Sequence, residues 1–134
     1  MENLDIQPTG NTPHISFNAD TGKLLFKGRS IPEDPGEFFE RVMRWLEGYF
    51  SETDLETELE FQIEYANSGS SKYILEILKD VQRHSSQGNK INVIWCYEED
   101  DESIEELGEL YMTSLDLPFE MREIEEEDDE EEEF

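Results

Sequence analysis

Residues 55–78 read LETELEFQIEYANSGSSKYILEIL. The first half alternates strictly. Leu59, Phe61, Ile63 and Tyr65 point one way; Glu58, Glu60, Gln62 and Glu64 point the other. A period of two predicts a β-strand with one buried face and one wet face. The period then changes. Tyr73, Ile74, Ile77, Leu78 and Val81 recur at helical spacing, and Gly88 supplies a stop. Between the two lies a small polar turn, Asn67, Ser68, Gly69, Ser70, Ser71 and Lys72. A strand that runs into a helix through a short junction is the building unit of an α/β fold.

Downstream, KINVIWCY (90–97) carries Ile91, Val93 and Trp95 on one face and Ile94 and Cys96 on the other. Apolar residues on both faces predict a central strand. It should lie parallel to the strand ending at Tyr65, through a right-handed crossover. DESIEELGELYMTSL (101–115) reads as a further helix with Ile104, Leu107, Leu110 and Tyr111 inward, and PFEMREI (118–124) as a last short strand. Upstream, Ile15 and Phe17, then Leu24 and Phe26, alternate around Asn18, Asp20 and Gly22, the pattern of a hairpin. Phe38, Phe39, Val42, Met43, Trp45, Leu46, Tyr49 and Phe50 place a helix over about 35–51. The order β-β-α-β-α-β-α-β predicts a single α/β domain, a mixed sheet with helices chiefly on one face. The domain is expected over 1–123. Residues 124–134 are expected to be a disordered acidic tail, because a block of like charges has nothing to bury.

The chain has 36 acidic and 10 basic residues and a formal net charge of -26 over 134 residues. Phosphate backbones and anionic membrane surfaces need Lys and Arg opposite them, so nucleic acid and membrane partners are not expected. Partners with basic patches are favoured. The single cysteine, Cys96, rules out an internal disulfide and fits a cytoplasmic setting. The first residues lack the basic and apolar segments of a signal peptide.

Two junctions could carry chemistry. In the first, Ser70 or Ser71 makes a good N-cap. Ser68 then lies just ahead of the helix and exposed, where a phosphoryl group would meet a positive helix end. The simpler reading is that all three serines only cap and turn. In the second, Glu98, Glu99, Asp100, Asp101 and Glu102 could hold a hard divalent ion and serve a small metal-dependent enzyme. The calcium-loop spacing is absent, however, and acidic residues are favoured at helix starts in any case. The catalytic inventory is otherwise thin: His14 at a strand start, His84 at a helix end, Cys96 on a central strand and no phosphate-binding glycine loop. No cofactor is expected.

Several stretches in fixed order carry a resemblance: NTPHI (11–15), GRSIPEDPGEFF (28–39), WLEGYF (45–50), YANSGSSKYILEIL (65–78) and IWCYEEDDESIEELGE (94–109). Together they resemble the SiaC family of bacterial regulatory phosphoproteins over about residues 6–120. The family's loop is similar to Y-x-N-T-S-S-x-K, with the threonine phosphorylated. Tyr65, Asn67 and Lys72 match it, Ser68 falls at the threonine and Ser70 at the second serine. Gly69 and Ser71 depart from the pattern, and Ser70 and Ser71 stay open as alternative sites. The resemblance implies a non-enzymatic phospho-switch with a STAS-like, anti-sigma-factor-antagonist-like fold. It implies a SiaB-like protein kinase, a PP2C-type phosphatase and a GGDEF-type diguanylate cyclase as partners. The cyclase would be activated by the unphosphorylated form. Asn67, Gly69, Ser70, Ser71 and Lys72 would form the switch loop around Ser68. A small metal enzyme and an unswitched structural adaptor are the competing readings.

Overall fold

The computed structural model describes residues 1–125. Six strands and three helices follow in the order β1 (Leu4–Ile6), β2 (His14–Asn18), β3 (Lys23–Ser30), α1 (Pro35–Glu52), β4 (Thr57–Ala66), α2 (Ser68–Ser86), β5 (Ile91–Glu98), α3 (Glu102–Ser114) and β6 (Phe119–Ile124). They build one mixed sheet whose spatial order is the chain order, β1-β2-β3-β4-β5-β6. The first two pairings are antiparallel and the last three parallel. β6 runs through Ile124, one residue into the stretch read as tail; 126–134 lie outside the described residues.

Three crossovers that step the same way along a sheet, each right-handed, place their helices on the same side. The core agrees. Ile15, Phe17, Leu24, Phe26, Leu59, Phe61, Ile63, Val93 and Trp95 are buried against Phe39, Val42, Leu46, Ile74, Ile77, Val81, Ile104 and Tyr111 of the helices. The opposite face carries Ser16, Leu25, Lys27, Glu58, Glu60, Gln62, Asn92, Glu120 and Arg122, all partly or fully exposed. Ile94 and Cys96 lie on this face, outside the core cluster, yet both are buried. Glu60 reaches across to them: its Oε2 accepts from Gln62 at 2.6 Å and lies 3.5 Å from the Cys96 sulfur. Burial first, and Glu60 second, push the Cys96 thiol up to about 12. Cys96 is therefore a small buried hydrophobe and not a nucleophile.

Three sequence expectations need correction. β1 was not foreseen, since three residues are too few to show alternation. It is held by Leu4 against Phe17, by Asn3 Oδ1 accepting the Ala19 N–H at 2.8 Å, and by the Trp45 indole donating to the Glu2 carbonyl at 2.9 Å. Leu110 is 59% exposed instead of inward. Gly108 takes the inward place: a Cβ there would overlap the Trp95 ring. The α3 seam is thus Ile104, Gly108 and Tyr111 over the Trp95 ring, with the Trp95 indole donating to the Ile104 carbonyl at 2.9 Å. Tyr65 also leaves the core face. The β3–β4 register steps from Gly28↔Ile63 to Arg29↔Tyr65, so Glu64 is an extra residue. Such a bulge reverses the alternation beyond it.

Candidate functional site: the strand-to-helix junction at Ser68

β4 ends at Ala66 and α2 begins at Ser68, at the carboxyl edge of the parallel strands. The cap is Asn67, whose side-chain oxygen accepts the Ser70 N–H at 2.9 Å. This replaces the expected Ser70 or Ser71 cap. Asn is as good an N-cap as Ser, and the earlier start frees the Ser70 hydroxyl for another partner. Ser70 is fully buried, and its Oγ accepts from Ser30 Oγ of β3 at 2.8 Å. The Asn67 N–H also donates to the Ser30 carbonyl at 3.2 Å. Ser71 is half-buried, and its carbonyl accepts from the Tyr111 hydroxyl of α3 at 2.8 Å. The helix start is therefore tied to β3 on one side and α3 on the other.

Ser68 stands apart from this network. It occupies the first helical position and is exposed, with Lys72 exposed four residues further along the same helix face. Of the three serines the structure leaves Ser68 as the accessible hydroxyl, Ser70 as a buried strut and Ser71 as a partly covered one. Gly69 is not dictated by space: a Cβ there would meet Pro35 Cγ at 3.6 Å, an ordinary contact. The first turn of α2 contains no acidic residue, so its positive end is uncompensated by side-chain charge. The parts that Ser30 and Tyr111 play at this junction are not legible in the sequence, because each lies 40 residues from its partner and no local pattern joins them.

The second junction is built differently. Asp101 caps α3, accepting the Ile104 N–H at 3.1 Å, and Glu102 and Glu105 lie in its first turn. Glu99 and Asp100 are exposed on the preceding turn. Among the described residues no three His, Cys, Asp or Glu groups are placed to hold a metal ion. Asp101 thus caps the helix start and Glu102 adds charge to its first turn. His14 pairs with Asp5 at 2.9 Å on the β1–β2 edge. His84 is buried, stacks on Phe50 at 5.0 Å and meets Glu47 at 3.2 Å. That hydrogen bond, with a second from Arg83, holds the Glu47 carboxyl below the usual range.

The fold and the junction define a small single-sheet α/β domain with an accessible serine in the first turn of a helix tied to β3 and α3. The comparisons place it. The model of the family described as "SiaC family regulatory phosphoprotein" matches residues 6–124, and the chain belongs to that family. The chain is 29% identical over 119 residues to an uncharacterized protein of Pseudomonas aeruginosa (strain UCBPP-PA14), covering 89% of this chain and 94% of the relative. It is similar to the solved structure of SiaC of Pseudomonas aeruginosa, with a TM-score of 0.86, 27% identity, and coverage of 92% and 100% of the two chains. It is also similar to a chain in the crystal structure of the diguanylate cyclase SiaD in complex with its activator SiaC, from the same organism. There the TM-score is 0.86, the identity 28%, and the coverage 90% and 99%. The mixed sheet with helices on one face is thus the fold of SiaC. No helix among the described residues is long and apolar enough to cross a membrane.

Proposed function

We propose that this chain is a non-catalytic phospho-switch. Its unphosphorylated form docks on a GGDEF-type diguanylate cyclase and activates it, as SiaC is the activator of SiaD. A SiaB-like kinase phosphorylates Ser68, a PP2C-type phosphatase removes the phosphate, and the exchange takes place in the cytoplasm. The observation that carries this reading is the Ser68 hydroxyl, exposed at the first position of α2 on a junction fixed by Asn67, Ser30 and Tyr111. Phosphorylation would add about -1.5 to -2 charge and three acceptor oxygens there. The fixed helix end accommodates that charge, while a partner seated on Asn67, Gly69, Ser71 and Lys72 meets new bulk and repulsion. Ser70 supports this surface from beneath.

The competing metal-enzyme reading has no geometry behind it among the described residues, because the acidic junction caps α3. The test uses the kinase and cyclase encoded by the same genome. Wild-type protein should raise cyclic di-GMP production and lose that effect once phosphorylated. Ser68→Ala should take up no phosphate and activate constitutively. Phosphate mapped by mass spectrometry to another residue, with Ser68 unmodified, refutes the assignment.

A further inference from the structure

The bulge in β4 has an effect at the switch. It brings Tyr65, three residues before Ser68, out to 50% exposure beside Arg29 of β3. The Arg29 guanidinium lies over the Tyr65 ring, 5.8 Å from its centroid. Arg29 reaches this place after Gly28, which adopts φ 126°, a conformation that side-chain-bearing residues rarely take. The next residue is Ser30, whose carbonyl accepts from Asn67 and whose hydroxyl donates to Ser70. Arg29 is therefore one residue from the tie that fixes the start of α2. It is exposed, and in this acidic chain it has no ion pair among the described residues. Glu64, the bulged residue, is the nearest carboxylate along β4 and does not pair with it.

The Tyr65 ring is a weak seat for a cation. Such a contact is weak at an exposed site. Arginine pairs more strongly with phosphate, through two parallel charge-assisted hydrogen bonds. We propose that Arg29 is a movable counter-ion of the switch. It rests on the Tyr65 ring while Ser68 is a free hydroxyl, and it transfers to the phosphate when Ser68 is phosphorylated, uncovering Tyr65. This rests on the reading of Ser68 as the modified residue. Lys72 supplies a second cation but belongs to α2 itself. Arg29 carries the change across to the open face of the sheet, and Tyr and Arg are the residue types that dominate protein contacts. A partner reading this edge would therefore lose an arginine-capped tyrosine as well as gain a phosphate.

The test needs no kinase, because phosphoserine can be incorporated at position 68 during translation. In a ³¹P NMR titration, the phosphate of the otherwise wild-type protein should have a second pKa about half a unit below that of the Arg29→Gln form. The Tyr65 ring protons should shift on phosphorylation in wild type and stay put in Arg29→Gln. Lys79→Gln, further along α2, should leave both readouts unchanged. Circular dichroism confirms that each variant is folded. Equal titrations in wild type and Arg29→Gln overturn the role of Arg29 while leaving Ser68 as the switch. Phosphate found only elsewhere in protein purified from cells overturns the Ser68 reading, and with it the exchange.

Discussion

Of the three strand-to-helix junctions at the carboxyl edge of the sheet, those into α2 and α3 share a cap hydrogen bond and differ in charge. Each helix starts on an Asx side chain that accepts the N–H three residues on: Asn67 for α2 and Asp101 for α3. The α3 start already carries Asp101, Glu102 and Glu105, so its positive end is answered by carboxylates. The α2 start has a neutral cap, a serine and no acid. The lesson is that a helix end left without its natural charge is where a transferable charge has the most to change. The acidic junction is complete as built.

The comparison can be broken first at what lies beneath each helix. Gly108→Ala would drive a methyl into Trp95 and lift α3 from the sheet. A loss of about 3 kcal/mol is expected in denaturant titration, and a loss below about 1 kcal/mol would show that α3 adjusts freely. Ser70→Ala under α2 strands the buried Ser30 hydroxyl and should cost about 2 kcal/mol. The double variant Ser30→Ala/Ser70→Ala should cost less than the two single changes added together. Strict additivity would mean that the hydroxyl pair is not coupled.

Tyr111 joins the two regions, since it belongs to α3, packs on Trp95 and donates to Ser71 of α2. Burial pushes its phenol up to about 12, against an ordinary value of 10.0. The folded state thus holds the proton more tightly than the unfolded one. Its contribution is complete below pH about 10 and declines as pH rises toward 12. Thermal melts across that range should flatten in Tyr111→Phe, leaving a residual slope from Cys96, whose thiol is raised in the same direction. An unchanged slope would place the titration elsewhere. The smallest effect is expected from Asn67→Asp, which gives α2 the charged cap of α3. It should stabilise the protein by about 0.5 kcal/mol at low salt, and the gain should shrink as salt is added. A gain that ignores salt would mean that charge is not what separates the junctions.

Much of this was legible in the residues. Strict alternation in 57–63 and the two-sided apolar run at 91–96 identified β4 and β5, and helical spacing identified all three helices. Alternation misplaced Tyr65, because a bulge is a property of two paired strands and leaves no mark in one. Leu110 was misplaced because a glycine can occupy a core position when a ring fills the space from the other side. At the junction, the residue types announced a helix start with an exposed serine. That serine was read as Ser68, and it is exposed; the Asn67 cap, the tie of Ser70 to Ser30 and the tie of Ser71 to Tyr111 were not legible. Arg29 stayed out of view for the same reason: it reaches Tyr65 only through the β3–β4 pairing.

The coincidence of spatial and sequential strand order has a consequence for how the molecule comes into being. Each strand pairs with the one made just before it, so no segment has to wait for a distant partner to leave the ribosome. Low sequence separation between partners favours rapid assembly. The sheet can therefore grow from β1 outward during synthesis, with each helix folding over the strand pair that its own crossover has just completed.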